Sequence, residues 1–218
     1  MKIYAMSDIH GCIQEFDYAL SLIDLSGDNK LLLLGDYVHG PDSYAVLDRI
    51  IQLQEKYGEE KVIALAGNHE EMCVAGQWRI CNNDDFDESR EDEYISWTMN
   101  LPKYYATEKQ IFCHAGICEE AGEFWEWSTD DFTYTEKFPA QIGKFYMDII
   151  AGHISTAQIS GDCRFNDVYF DGQSHYYIDG NVLSTGFIPV LMVDSETNKY
   201  YRVTESGPWL ILPYDEEN

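Results

Sequence analysis

The strongest constraint in this chain of 218 residues is a series of five apolar segments, each leading into side chains that can bind a metal. The segments read KIYAMS, KLLLLG, KVIALAG, KQIFCHAG and MDIIAGH. Amphipathic helical patterns alternate with the first three, over residues 12–25 and 43–57 and again after Asn68. Continuous apolar strands that alternate with such helices are typical of a sheet covered on both faces, so we predict an α/β fold.

The last quarter of the chain has a different pattern. After Ser160, the segments VYFDG, HYYIDG, FIPVLMVD and KYYRVT are short and rich in aromatic and β-branched residues, with polar turns between them. These features predict that the last quarter is mostly β, as antiparallel hairpins, and that His175 lies within one of them without an assigned role. Between the fourth and fifth apolar segments, we expect a short helix near 138–146. We expect one domain over residues 1–218.

The formal net charge of -25 argues against several kinds of partner. Such a chain repels the phosphate backbone of a nucleic-acid duplex. It has no apolar run of about 18 residues, so no membrane span is expected, and it reaches Asp8 too soon for a signal peptide, so we expect a cytoplasmic protein. The six cysteines include no C-x-x-C pair, which argues against a zinc finger or a dense disulfide framework. Acidic residues are concentrated near 82–93, where an exposed insert or loop is predicted.

Every apolar segment is followed by aspartate, asparagine or histidine side chains. These positions are the carboxyl ends of the predicted strands, where open α/β sheets bind ligands. One histidine after a strand is usually a loop residue, but imidazoles at four of the five strand ends are not expected from independent turns. Carboxylate, carboxamide and imidazole donors suit a pair of divalent metals. The candidate ligands are Asp8, His10, Asp36, Asn68, His114 and His153.

The motifs SDIHG, GD, GNHE, HAG and GH, in that order, resemble those of the calcineurin-like metallophosphoesterase superfamily over about residues 2–160. Within it, the chain looks most similar to bacterial members of the phosphoprotein phosphatase family. The resemblance implies a two-sheet β-sandwich flanked by helices and two divalent metals, with manganese expected first and iron or zinc as alternatives. It implies that Asp36 bridges the two metals. The other implied ligands are Asp8 and His10 for the first metal, and Asn68, His114 and His153 for the second.

The resemblance also implies a hydrolytic mechanism. A water between two cations loses a proton easily and attacks phosphorus in line, while the metals neutralise the developing charge. His69, next to the implied ligand Asn68, would protonate the leaving oxygen as general acid, and both residues are expected to contact the substrate. The final motif has Ser155 where diesterases of the superfamily often carry a second histidine, which favours the phosphatase branch.

The second motif departs from the family pattern. The family usually reads G-D-x-x-D-R-G there, whereas this chain reads GDYVHG, with His39 in place of the aspartate and no arginine after it. The family's aspartate orients the histidine that corresponds to His69, so we expect His39 to contact His69 instead. Two imidazoles in contact resist joint protonation, which would make His69 a weaker acid reservoir. The alternative is that His39 faces solvent in an ordinary turn.

A second family arginine is also replaced, because Thr129 in WSTDDF falls at its position. Arginine holds phosphoryl groups through bidentate contacts, so the loss of both arginines should weaken the binding of a highly charged phosphomonoester. Another cation could substitute, and the candidates are Arg79, Arg90 and Arg164, with Arg79 and Arg164 as candidate substrate-binding residues. The substrate could instead carry less charge, as a diester or a nucleotide polyphosphate does, or the site could bind metal and turn over poorly.

The sequence thus predicts a metal-dependent phosphoesterase for a phosphorylated protein or nucleotide, with catalytic roles for Asp36, His39 and His69. The leading interpretation is a phosphomonoesterase that resembles serine/threonine phosphoprotein phosphatases. The alternatives are hydrolysis of dinucleoside polyphosphates, hydrolysis of phosphodiesters, and a non-catalytic metal-binding regulator on the same scaffold. The aromatic residues of EFWEWSTDDFTY are expected mostly in the core, with a nucleobase-stacking groove as the alternative.

Overall fold

The computed structural model describes residues 1–81 and 86–215, which form two mixed β-sheets flanked by helices. The strands are β1 (Lys2–Met6), β2 (Lys30–Leu33), β3 (Val62–Ala64), β4 (Tyr104–Ala106), β5 (Gln110–Cys113), β6 (Asp148–Ser155), β7 (Tyr169–Phe170), β8 (His175–Asp179), β9 (Leu191–Asp194), β10 (Lys199–Thr204) and β11 (Gly207–Leu210). The α-helices are α1 (Ile13–Ser21), α2 (Ser43–Tyr57), α3 (Asn68–Val74), α4 (Glu88–Thr98), α5 (Trp125–Ser128), α6 (Asp131–Glu136), α7 (Thr156–Ser160) and α8 (Val182–Thr185). Within these ranges, no helix is both long enough and apolar enough to cross a membrane. The predicted α/β sandwich is confirmed.

Each of the two sheets contains three neighbouring parallel strands. The first sheet has the strand order β11-β10-β9-β1-β2-β3, in which β1, β2 and β3 are parallel and β9, β10 and β11 add an antiparallel meander. The second has the order β4-β5-β6-β8-β7, in which β5, β6 and β8 are parallel and both edge strands are antiparallel. Parallel strands deliver the residues that follow them to one edge of a sheet, and this geometry positions the candidate site.

The central strands bury both of their faces. In β1, Ile3 and Ala5 belong to the core between the sheets, whereas Tyr4 and Met6 belong to the core beneath α1 and α2. Because alternate side chains of a strand point to opposite faces, a strand with two buried faces must be apolar throughout. This requirement explains the continuous apolar segments of the sequence.

The predicted hairpins of the last quarter are confirmed. Strands β7 and β8 form one hairpin, and β9, β10 and β11 form the meander. His175 begins β8 as expected, and its buried imidazole lies 3.0 Å from Asp171 and 3.1 Å from Glu119. Helix α8, between β8 and β9, was not predicted from the sequence.

The helix expected near 138–146 is absent, and this prediction was wrong. The helical turn lies earlier, in α6, where the Asp130 carboxylate caps the helix by accepting a hydrogen bond from the backbone N–H of Thr133. Pro139 cannot donate a backbone hydrogen bond, and Gly143 has a φ of +123°, so the later residues do not continue the helix.

The acidic segment is helical over residues 88–93, which corrects the prediction of a loop there. Residues 82–85 lie outside the described residues. Helix α4 begins after Asp87, whose carboxylate accepts the backbone N–H groups of Ser89 and Arg90. Because Tyr94 is buried on one face of α4, tertiary packing outweighs the solvation that the acidic composition suggested.

The prediction that most aromatic residues of EFWEWSTDDFTY lie in the core was wrong. Trp125 and Tyr134 are buried, whereas Phe124, Trp127 and Phe132 are 70%, 89% and 63% exposed. The segment consists of a 3₁₀ turn over Glu119–Phe124 and the short helices α5 and α6. Elements this short bury only the few side chains that point toward the sheet.

Candidate metal centre

The loops that follow the strands are held together by backbone hydrogen bonds at one edge of the two sheets. The N–H of Asp8 donates to the carbonyl of Gly35, and the N–H of His10 donates to the carbonyl of Asp36, which joins the loops after β1 and β2. The N–H of His153 donates to the Asp8 carboxylate at 3.0 Å, which joins the second sheet to the first. Residues far apart in the sequence therefore meet at this edge.

Asp36 lies at the centre of the cluster. Its side chain is buried, and its Oδ2 lies 3.4 Å from His114 Nε2 and 3.8 Å from the Nε2 atoms of both His10 and His69. Two groups of potential metal donors share this carboxylate, and the donor atoms of each group lie within 4.8 Å of one another. The groups are His10, Asp36 and His69, and Asp36, His114 and His153.

Asp8 and Asn68 complete the set that the sequence singled out. The Asn68 Oδ1 lies 3.0 Å from His114 Nε2 and 3.1 Å from His153 Nδ1. Asp8 is buried and contacts the backbone of His153 through the carboxylate. The structure thus brings all six candidate ligands together, and it adds His69 to the first donor group.

Backbone strain is concentrated at the same residues. Seven non-glycine residues in the described ranges have a positive φ, and five of them are Asp8, His10, Asp36, His39 and His153, with φ between 45° and 66°. This region costs free energy for residues with a Cβ and recurs at functional sites, where it points a side chain in a required direction. The strain is therefore consistent with an orienting role of these loops.

Glycines next to the ligands allow the loops to approach closely. A Cβ atom at Gly152 would lie 2.2 Å from an oxygen of the Asp8 carboxylate, and one at Gly67 would lie 2.3 Å from Asp36 Oδ1. Neither distance is sterically possible. The glycines that precede Asn68 and His153 in the GNHE and AGH motifs are thus required for convergence of the candidate ligands.

The imidazoles of His10 and His114 are oriented by the backbone. His10 Nδ1 lies 3.0 Å from the carbonyl oxygen of Val38, and His114 Nδ1 lies 2.9 Å from that of Leu34. A carbonyl can only accept, so in each ring Nδ1 carries the proton and Nε2 faces Asp36. This arrangement, with Nδ1 bound to a backbone oxygen and Nε2 free to bind, is usual for histidines that ligate metals.

The electrostatics of the cluster favour positive charge at its centre. Burial opposes protonation of His114, but the carboxylates of Asp36 and Asp8 outweigh it and raise the pKa of His114 to about 10. Burial also acts to raise the pKa of Asp36, yet the surrounding imidazoles, His114 first, hold it well below the usual range. Burial lowers the pKa of His153 to about 4, so this ring keeps a free lone pair. Anionic oxygens, such as that of Asp36, and a neutral imidazole, such as that of His153, are suitable donors for divalent cations.

Two further carboxylates at the cluster were not identified from the sequence. Asp179 ends β8 next to β6, and burial, with the Asp8 charge, raises its pKa to about 8. Glu70 accepts hydrogen bonds from the backbone N–H groups of Asp36, Tyr37 and Gly67 at 2.7–2.9 Å, and burial raises its pKa to about 7. In the sequence, Asp179 is indicated only by the DG pair after HYYI, and Glu70 only by the last residue of the GNHE motif.

His39 contacts His69, as expected, and the alternative of a solvent-facing turn does not hold. The two Nδ1 atoms lie 2.6 Å apart, and His39 Nε2 lies 3.3 Å from Cys73 Sγ. Burial, followed by the neighbouring His69, lowers the pKa of His39 to about 4, and burial also lowers the pKa of His69. His39 is therefore neutral at physiological pH, and one of the two facing nitrogens accepts a hydrogen bond from the other.

The candidate arginines have other contacts. The exposed Arg164 pairs with Asp162, two residues before it. Arg90 pairs with the Asp48 carboxylate, and the Arg79 guanidinium lies 4.4 Å from the centre of the Phe86 ring. None of these contacts brings an arginine to the six candidate ligands.

Thr129 and Ser155 have local structural contacts. The Thr129 hydroxyl donates to the carbonyl of Trp125 and accepts the N–H of Cys118. The Ser155 hydroxyl accepts the N–H of Gln158 at the start of α7. Both residues therefore have local structural roles, at the positions for which the resemblance implies an arginine or a histidine.

Comparisons with known proteins identify a family and several relatives. The sequence model of the calcineurin-like phosphoesterase family matches residues 1–184. The symmetrical bis(5'-nucleosyl)-tetraphosphatase of Nitrosospira multiformis is 29% identical over 126 residues, which are 54% of this chain and 44% of that protein. The chain thus spans about half the length of the curated relatives it matches.

Solved structures share the fold over nearly the whole chain. A cold-active protein-tyrosine phosphatase of the psychrophile Shewanella sp. has a TM-score of 0.66 at 15% identity and covers 97% of this chain and 80% of that one. A putative diadenosine tetraphosphatase has a TM-score of 0.62 at 17% identity and covers 95% and 94%. At these identities the likeness shows the fold alone.

Proposed function

Because the chain belongs to the calcineurin-like phosphoesterase family, we propose that it hydrolyses phosphoric esters or anhydrides with two divalent metals bound around Asp36. The observation that carries the proposal is the single buried carboxylate shared by two groups of donor atoms. A carboxylate in this position can bridge two cations. The proposed ligands are Asp8, His10, Asp36, Asn68, His114 and His153, and manganese is the metal proposed first.

The residues fit such a metal pair. His10 and His114 present Nε2 to the centre, and the buried carboxylates of Asp8 and Asp36 place negative charge there that divalent cations would offset. Two bound cations would supply an activated water and neutralise charge at phosphorus. The chain's own contribution is to fix these donors before the substrate binds.

His69 is the proposed general acid. Its Nε2 faces Asp36 at 3.8 Å, while its Nδ1 faces His39 on the opposite side of the ring. Neutral His39 can accept the Nδ1–H of His69, which leaves Nε2 to donate a proton to the leaving oxygen. His39 thereby takes the orienting role that the family resemblance assigns to an aspartate, without adding a charge.

We propose dinucleoside polyphosphates as the substrate class, in place of the phosphoprotein that the sequence favoured first. The curated relatives at 29–32% identity are named as symmetrical bis(5'-nucleosyl)-tetraphosphatases. The lack of both family arginines also favours a substrate that is held by more than the charge of one terminal phosphate.

Activity of the metal-loaded protein tests the proposal. The chain is stripped with a chelator, reloaded with Mn²⁺, and supplied with diadenosine tetraphosphate, p-nitrophenyl phosphate, bis(p-nitrophenyl) phosphate and a phosphoserine peptide. We expect the dinucleotide to have the highest kcat/KM and to give ADP as product. A preference for the peptide would identify a protein phosphatase instead, and no turnover of any substrate by protein with two bound metals would exclude the hydrolase.

A further inference from the structure

The turn after α3 places an exposed tryptophan beside the proposed general acid. The Trp78 ring lies 5.0 Å from the His39 ring, and the His39 ring lies 4.8 Å from the His69 ring, both between centroids. Trp78 therefore contacts His39, which in turn contacts His69, the group that would protonate the leaving oxygen. Its side chain is 56% exposed, so one part of the indole packs on His39 and the rest faces solvent.

The position of Trp78 is fixed by hydrogen bonds on both sides. The N–H groups of Gln77 and Trp78 both donate to the carbonyl of Met72, at 2.9 and 3.4 Å, and fold the turn back over α3. Two residues later, the N–H of Ile80 donates to the Glu91 carboxylate on α4 at 2.7 Å. A turn held at both ends presents the indole in one place before any ligand arrives, which reduces the entropic cost of binding.

Trp78 also forms a wall of a cavity of about 320 Å³, which we call the Trp78 cavity. His39, Pro41, Ser43 and Ile80 are among its other lining residues, and none of the described lining residues is acidic. The chain carries a formal net charge of -25, but the described lining of this cavity adds no negative charge beside His39. A planar apolar group attached to an anion can enter it without charge repulsion.

We propose that Trp78 stacks on the nucleobase of the leaving nucleotide and that the Trp78 cavity selects nucleotides over phosphates without a base. The inference rests on the proposed function, because it places the leaving group on the His69 side of the scissile phosphate. The leaving oxygen receives the proton of His69 Nε2, and the nucleoside attached to that oxygen through the two phosphates of the leaving ADP extends past His39 to the indole. Stacking on an aromatic face is common to all bases, so purine and pyrimidine nucleotides are both accepted.

Exposure of a tryptophan is not by itself the basis of the inference. Trp209 is 54% exposed on the edge strand β11, where its indole N–H donates to the Ser206 hydroxyl. Exposed apolar side chains are ordinary features of protein surfaces. Trp78 differs because it is packed on His39 and borders the cavity, and Trp209 is therefore a matched control.

The test compares Trp78→Ala, Trp78→Phe and Trp209→Ala on two substrates that differ in the distance between the scissile phosphorus and the aromatic group. In diadenosine tetraphosphate the leaving base is several bonds from the scissile phosphorus, whereas the ring of p-nitrophenyl phosphate is attached directly to the leaving oxygen and cannot reach Trp78. We expect Trp78→Ala to raise KM for the dinucleotide on the order of 10- to 100-fold, with a small effect on kcat. The rate on p-nitrophenyl phosphate should stay within about twofold, Trp78→Phe should retain most of the affinity, and Trp209→Ala should change neither.

Direct binding separates this inference from the proposed function. Calorimetry with ADP and with inorganic pyrophosphate, each added to Mn²⁺-loaded protein, should show that Trp78→Ala weakens ADP binding and leaves pyrophosphate binding unchanged. If that difference is found in a protein that does not hydrolyse dinucleotides, the stacking site stands and the proposed substrate falls. The inference would be overturned if Trp78→Ala left both the KM for the dinucleotide and the affinity for ADP unchanged. It would also be overturned if Trp78→Ala lowered kcat/KM equally for p-nitrophenyl phosphate and the dinucleotide, because an equal loss indicates that Trp78 only supports His39.

Discussion

Replacement of His39 by aspartate tests whether a neutral partner sets the acidity of His69. In the wild-type chain the Nδ1 atoms of the two rings lie 2.6 Å apart, and burial holds the pKa of His39 at about 4, so His39 adds no charge at neutral pH. An aspartate at this position is ionised, and it need not touch the ring, because a carboxylate within about 4–6 Å favours the protonated imidazole.

The expected shift in the pKa of His69 depends on how strongly solvent screens its interaction with residue 39. An opposite charge at this distance shifts a pKa by roughly 1–3 units. The His69 side chain is 29% exposed, so solvent screens part of the interaction, and we expect a rise in the pKa of His69 of about 1–2 units, or about 1.4–2.7 kcal/mol. Any effect of bound metals on His69 is common to both proteins and cancels in the difference.

The direction in which the pH profile moves follows from the role of His69 as general acid. A general acid acts in its protonated form, so a higher pKa of His69 preserves activity to higher pH. The basic limb of the profile of kcat/KM against pH should therefore move upward by about 1–2 units in His39→Asp. The acidic limb, which does not depend on protonation of His69, should stay in place.

The assay is a pH–rate profile of the metal-loaded protein with a matched control. In His39→Asn the side chain has the same shape as aspartate and accepts a hydrogen bond without a charge, so its basic limb should coincide with that of the wild-type chain. Metal content is measured for all three proteins, since a lost metal would change the rate for another reason. If the profiles of His39→Asp and His39→Asn superimpose, His69 is not the general acid or residue 39 does not tune it.

Three further perturbations have defined outcomes. Asp36→Asn should lower the metal content below about two ions per chain, measured by elemental analysis, and abolish turnover; survival of both would contradict the bridging role. Burial opposes the charge of His175, but Glu119 and Asp171 outweigh it and raise its pKa, so its stabilisation is present below the unfolded-state pKa and is lost as pH rises through the folded-state pKa. The melting temperature of the wild-type chain should therefore fall more between about pH 6 and pH 9 than that of His175→Gln, and parallel curves would refute this. Leu32→Ala removes a fully buried side chain between the sheets and should cost about 2–5 kcal/mol in denaturant unfolding, whereas a loss below about 1 kcal/mol would mean that the core collapses around the cavity.

The layers of the fold and the convergence of the candidate ligands were predictable because both depend on the sequence pattern of the strands. A strand such as β2 has Leu32 in the core between the sheets and Leu31 and Leu33 beneath the helices, so its apolar run predicts burial on both sides. Parallel strands end at a common edge, and the position of His114 or His153 after an apolar run therefore predicts its location. Both inferences need only local sequence and one rule of sheet geometry.

The features that were missed depend on contacts between distant residues. Asp179 reaches the centre because β8 pairs with β6, and no local pattern encodes that register. Trp78 reaches His39 through hydrogen bonds of its turn to Met72 and, two residues later, to Glu91. Helix α4 was misassigned because its acidic residues suggested solvation, whereas one buried face decides its structure.

The replacement of the family's Asp-Arg by His39 in the second motif removes one negative and one positive charge together. Loss of the arginine alone would leave an aspartate facing an anionic substrate, and loss of the aspartate alone would leave His69 without an acceptor. His39 removes both charges and still offers a neutral ring nitrogen to His69 at 2.6 Å. His39 also contacts the Trp78 ring, whose stacking on a base, at about 1–3 kcal/mol, matches the roughly 1.5–3 kcal/mol of a charged hydrogen bond. In the proposed enzyme, substrate affinity thus moves from the phosphate to the base, which is why a phosphomonoester without a base is expected to be the weaker substrate.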